Sequence, residues 1–190
     1  METNELRAKA LQDFSLRVRG LEADQWVAPT PCAEWDVRTL VVHVVSELLW
    51  SVELGRGATL EEVGDRFDGD VLGADPVATA DAAIEASVAT FRGDHAAQIH
   101  TSQGLLPAEH YLTQMLTDAV VHTWDLAVAS GQDRTVDAAA SRRAYERALE
   151  ARAEIAAARE VGLFGPQVPV PDDASDLDKL LGLLGRDPRS

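Results

Sequence analysis

Asp36–Leu54 reads DVRTLVVHVVSELLWSVEL, and its spacing decides the fold class. Val37, Leu40, Val41, Val44, Val45, Leu48, Leu49 and Val52 follow an i, i+3, i+4, i+7 rhythm without a miss, which is the signature of an apolar helical face. Val42, Trp50 and Leu54 add apolar groups on other faces, so the helix is expected to be buried on most sides. Asp36 supplies an N-cap, and Gly55 and Gly57 mark the stop.

The rest of the chain reads as helix around this one. Residues 4–19 form a first helix with Leu6, Leu11, Phe14 and Val18 as its apolar positions, followed by a loop holding Pro29 and Pro31. The acidic stretch TLEEVGDRFDGD, residues 59–70, suits a turn or two of helix and then loop. Asp75-Pro76 is an N-cap with proline at N1, opening a helix to about Phe91. A short strand is expected around Ala97–Thr101, and Pro107 opens a long helix to Ser130, stopped by Gly131. The last long helix is expected over 136–160, with Arg142 and Glu146 paired at i, i+4. Past Gly162, FGPQVPVPDD carries three prolines in six residues and must run extended. Leu177, Leu180, Leu181, Leu183 and Leu184 then form a short amphipathic piece that docks on the body. The expectation is an all-α protein, a four-helix bundle over residues 1–165, with an extended segment and short helix over 166–190 packed on the same domain.

Composition narrows the function. A net charge of −15 repels phosphate backbones and anionic lipid, which argues against nucleic acid and membrane surface as partners. The first residues carry charges throughout, and no apolar run approaches a membrane span, so a cytoplasmic protein is expected. Cys32 is the lone cysteine, which excludes an internal disulfide and a thiolate-only metal site. It precedes a helix N-terminus, where a thiol can be activated, although a small buried hydrophobe is the plainer reading. The sequence does not fix the oligomeric state, but helical bundles with apolar outer faces often pair, so a homodimer is one of the states open to it.

The candidate chemistry sits on two helices. Asp118 and His122 stand at i, i+4 on the 107–130 helix, on a face shared with Tyr111, Met115 and Leu126. A carboxylate and an imidazole among such neighbours need partners. A divalent cation satisfies both, and a mutual hydrogen bond on a partly exposed face is the alternative. His43, in LVVHVV, is either a core histidine bonded to a carbonyl or a ligand. Together, His43, Asp118 and His122 make a three-ligand set that leaves positions open for water or substrate, the catalytic pattern. Asp125 is a group that would orient an imidazole, or a solvated charge. Glu47 is a fourth ligand, a general base or a boundary residue. His95, His100 and His110 fall in loops or helix starts and carry no assigned role.

Three segments add a resemblance. TPCAEWDVRTLVVHVV, DAVVHTWDLAVASGQD and FGPQVPVPDDASDLDKLLGLLGRDP resemble the corresponding parts of DinB-like and mycothiol-dependent maleylpyruvate isomerase-like proteins of actinobacteria. The resemblance implies a DinB/YfiT-like four-helix bundle with crossover connections and a divalent metal, zinc first and nickel as the other candidate. His43 falls on the first ligand histidine and His122 on the last. Asp118 falls where the family often has Glu or His, one methylene longer in the case of Glu. Family members with known chemistry use the metal to activate a low-molecular-weight thiol such as mycothiol. The isomerases themselves carry a further C-terminal domain that this chain does not include, so their substrate does not transfer. The expectation is a metal-dependent thiol transferase or isomerase acting on a small molecule. The alternatives are a metal-dependent hydrolase with Glu47 or Asp125 as base, and a non-catalytic metal- or ligand-binding stress protein.

Overall fold

Leu6, Leu11, Phe14 and Val18 bury in a computed structural model as the inner face of α1, Thr3–Arg19. The structure describes residues 2–162 and 164–190; residues 1 and 163, both inside the 1–165 unit expected from sequence, lie outside the described residues. The decisive helix forms as α2, Val37–Gly55. Asp36 caps it, its carboxylate accepting from the Thr39 amide at 2.8 Å and so relieving an orphan donor of the first turn. Val37, Leu40, Val41, Val44, Val45 and Leu48 are each 2 % exposed or less. Burial of side chains this size contributes about 1.5–3 kcal/mol apiece, so this face anchors the bundle.

The acidic stretch holds a single turn, α3, Leu60–Val63, closed by a capping box between Thr59 and Glu62. Asp75 and Pro76 open α4, Pro76–Arg92. The expected strand forms as β1, Gln98–Thr101, and pairs antiparallel with β2, Gly104–Pro107, a partner not anticipated. The longest helix, α5, spans Ala108–Ser130 and stops at Gly131, whose φ of 66° is the left-handed cap expected there.

Two expectations are corrected downstream. The 136–160 helix is broken into α6, Ala138–Glu150, and α7, Arg152–Glu160. The break falls at Ala151, with φ −89° and ψ 13°, and since no glycine or proline stands there the local sequence does not announce it. Arg142 reaches Asp176 at 3.2 Å, so the expected Arg142–Glu146 pair is replaced by one that ties α6 to the C-terminal helix. That helix, α8, spans Asp176–Leu183. Leu180, Leu181, Leu183 and Leu184 are buried, and Leu180, Leu183 and Leu184 belong to the same apolar core as α1 and α2.

The bundle is built from α1, α2, α4 and α5. α1 packs on α5 and α4, and α2 packs on α4 and α5. Consecutive helices α1 and α2 thus sit across the diagonal, as do α4 and α5, which gives the crossover connections of a DinB-like fold. α6 lies outside against α5 and α1, and α8 covers α6. Inside the bundle Arg7 has no exposed surface. Its guanidinium donates to Asn4 Oδ1, Ser87 Oγ and the Ser87 carbonyl and lies 5.4 Å from the Phe91 ring centroid. Burial without a carboxylate partner pulls its pKa down to about 10. No described helix is long and apolar enough to cross a membrane.

Candidate metal centre

α2 and α5 pack side by side, and this brings His43 to Asp118 and His122. Their nearest ligand atoms all lie within 4.8 Å of one another. Asp118 Oδ1 is 3.2 Å from His122 Nε2 and 3.6 Å from His43 Nε2. The three residues singled out from sequence therefore converge on one point. His122 is buried, while the side chains of His43 and Asp118 keep 30 % and 38 % of their surface, so the cluster opens to solvent on one side.

Asp125 lies behind His122, not in front of it. Its Oδ2 accepts from His122 Nδ1 at 3.1 Å, and its side chain has no exposed surface. This fixes the imidazole with Nε2 turned toward Asp118. Asp125 also accepts from Arg186, at 2.9 Å from Nη2 and 3.3 Å from Nε. Arg186 anchors itself on the Leu184 carbonyl at 3.1 Å. A guanidinium brought in just beyond α8 thus clamps the carboxylate that orients His122.

The electrostatics follow. Burial by itself lowers the His122 pKa, but Asp118 and then Asp125 outweigh it and raise the group to about 9. Burial by itself raises Asp118, but His122 and His43 hold it below the usual carboxylate range. Water reaching the open side of Asp118 softens both effects. Without a metal ion, an imidazolium at His122 is held between the Asp118 and Asp125 carboxylates.

Trp35 walls the cluster. Its ring centroid lies 4.8 Å from that of His43 and 5.8 Å from that of His122. The bend that aims it includes Glu34 at φ 68°, a left-handed conformation uncommon outside glycine. Glu47, one turn on from His43, is exposed. Crowding by the surrounding protein and the Asp118 charge push its carboxyl up, against a pull from both histidines. Between Arg7, Glu47, Met115 and Asp118 lies a gap of about 10 Å³, the lower limit for a single water.

Cys32 lies 3.8 Å from Arg186 Nη2. Burial raises its thiol pKa, with Asp125 and Asp118 adding to the rise against the pull of Arg186, which opposes the activated-nucleophile reading. His95 bonds the Gly93 carbonyl and His100 sits on β1. His110 Nε2 receives a hydrogen bond from Arg147 at 3.0 Å.

In front of the cluster lies a cavity of about 370 Å³. Asp118 and His122 form one wall, and α6, α7 and the residues around Leu184 form the others. Trp35, Arg147 and Arg186 were not singled out from sequence. For Trp35 a signal existed, since it lies in the TPCAEW segment that carries the resemblance. Arg186 likewise lies in a segment that carries the resemblance, FGPQVPVPDDASDLDKLLGLLGRDP, whereas for Arg147 there was no signal.

An all-helical DinB-like bundle with a His/Asp/His cluster between two of its core helices is the class this fold and site define. Residues 7–127 match the family described as the mycothiol maleylpyruvate isomerase N-terminal domain, and the chain belongs to that family. It is 32 % identical over 181 residues, 94 % of either chain, to "Uncharacterized protein Rv0738" and "Uncharacterized protein MT0763" of two Mycobacterium tuberculosis strains. No solved structure matches the chain.

Proposed function

We propose that this protein holds a divalent metal ion, zinc in the first place, on His43, Asp118 and His122, and that it is a thiol-dependent transferase or isomerase of a small molecule. The observation that carries the reading is the donor set itself. Zinc bonds of about 2.0–2.1 Å in tetrahedral arrangement separate neighbouring donors by about 3.3 Å. Asp118 Oδ1 stands 3.2 Å and 3.6 Å from the two Nε2 atoms, which matches two edges of such a site, and all the ligand atoms lie within 4.8 Å of one another. Asp is short enough here because the two helices already bring the imidazoles to it.

A bound ion there supplies Lewis acidity that lowers the pKa of a thiol reaching the open side. The chain's own residues do the rest. Asp125 and Arg186 fix His122 in the tautomer that leaves Nε2 free. Trp35 covers the imidazole faces. Glu47, raised above its ordinary pKa and open to solvent, is the group placed to take up a proton. Asp125, with no exposed surface, orients and does not exchange protons with a ligand. Membership of a family named for mycothiol supports a low-molecular-weight thiol as co-substrate, and a thiol that must stay reduced supports a cytoplasmic reaction. The position of Glu47 also favours a second reading, metal-assisted hydrolysis with Glu47 as base.

Elemental mass spectrometry of wild type, His43→Ala and His122→Ala, purified without chelator or affinity tag, tests the metal. Near-stoichiometric zinc or nickel in wild type, lost in both variants, is the expected result. Wild type without metal after reconstitution at neutral pH would sink the assignment. Turnover that requires added mycothiol separates the thiol reading from hydrolysis, and metal without any turnover points to a binding protein.

A further inference from the structure

The cavity in front of the cluster holds a cation whose hydrogen-bonding capacity is largely unused. Arg147, on α6, lines this cavity and is 9 % exposed. Its Nη2 donates to His110 Nε2 at 3.0 Å and to Glu154 at 3.1 Å. Its Nε is buried with no partner, and its Nη1 makes no hydrogen bond among the described residues. A guanidinium carries five N–H donors and no acceptor, so most of its donors await an acceptor. In the other guanidinium on the cavity, Arg186, every nitrogen already has a partner among Asp125, the Leu184 carbonyl and Cys32. Arg159 also has a buried unpartnered Nε, but it is not part of the cavity wall.

From this arrangement we infer that Arg147 is an anion subsite and that the small-molecule ligand of the cavity carries a carboxylate, bound at Arg147 while its reacting end lies at Asp118 and His122. The inference rests on the proposed metal reading only for the identity of that reacting end. Three features fit the chemistry. The planar edge of one guanidinium matches the two oxygens of a carboxylate. Val121, Ala148, Ala151 and Ile155 make much of the cavity wall apolar, beside Gln114 and Thr117, which suits the carbon skeleton of an organic acid. On a chain of net charge −15, a cavity-lining cation without a buried counterion is where an anion is attracted and not repelled. Glu154 is the protein's stand-in for that anion, and its side chain is 68 % exposed, so a ligand carboxylate can displace it into water at little cost.

Calorimetric titration with linear ω-mercaptoalkanoates, from mercaptopropionate to mercaptohexanoate, and with their methyl esters tests the subsite. Each is run on zinc-loaded and on chelator-treated protein. For the tightest member, wild type is expected to prefer the acid over the ester by about tenfold or more. Arg147→Met should bring that ratio close to one without changing zinc content, and Arg147→Lys should keep part of it. Glu154→Gln, on an exposed side chain, should tighten the acid several-fold and leave the ester unchanged. Equal binding of acid and ester to wild type, or an acid preference that survives Arg147→Met, overturns the subsite. An acid preference that persists in protein unable to take up zinc supports the subsite and sinks the metal reading alone.

Discussion

His122 Nδ1 lies 3.1 Å from Asp125 Oδ2, a carboxylate with no exposed surface. The pair fixes which imidazole nitrogen faces Asp118, and it does so from the side no ligand can reach. Its orienting role is separable from the donor set by mutation.

Asp125→Asn keeps the shape and removes the charge. Metal affinity, read by competition with a chromophoric chelator, should fall about 10–100-fold, with zinc still bound at saturation. Unchanged affinity would show that His122 needs no orientation.

Arg186→Met leaves Asp125 buried with His122 as its remaining charged partner. Removing one partner of a buried pair costs about 3–5 kcal/mol, so urea unfolding of the metal-free protein should show a loss of that order. The double variant with Asp125→Asn should recover much of it. Additive losses in the double variant would contradict coupling between the two groups.

The metal-free and metal-loaded proteins should respond to pH with opposite sign. His122, raised from 6.5 to about 9, contributes stability that is fully present below 6.5 and lost as pH rises through about 9. Asp118, lowered from 3.8, contributes stability present above 3.8 and lost as pH falls through its folded value. Chelator-treated protein should therefore be most stable between these limits and lose Tm from 6.5 to 9. Zinc requires the neutral imidazole, so its stabilising effect should grow over that interval. Parallel Tm profiles with and without zinc would refute the shared role of His122.

Gly182→Ala sets two effects against each other. Alanine in a helix gains about 1 kcal/mol over glycine, but a Cβ at 182 would meet the Val168 carbonyl oxygen at 2.6 Å. Overpacking against a backbone atom typically costs about 1–3 kcal/mol, so a lower Tm and weaker metal binding are expected together. A more stable variant would mean that the segment at Val168 yields freely.

The bundle and the His/Asp/His cluster were legible because both rest on helical period. The apolar rhythm of α2 places His43 on a buried helix, and i, i+4 spacing puts Asp118 and His122 on one face. What escaped has no local signature. Arg186 meets Asp125 across 61 residues of chain, and the cavity that Arg147 lines is walled partly by α7, set off from α6 by a break at Ala151 that no glycine or proline announces. β2, Gly104–Pro107, lacks apolar alternation and is mostly exposed. Asp125 was open to two readings until its burial became visible.

The segment that delivers Arg186 has one more consequence, in the chain before it folds. Pro166, Pro169 and Pro171 hold it extended whether or not it is docked. Its unfolded ensemble is already narrow, so laying it along the body forfeits less conformational entropy than a glycine- or serine-rich segment would. The clamp on Asp125 is thus reached by a nearly pre-shaped arm. Replacing those prolines would widen the arm's disordered state and so raise the entropy lost when it docks.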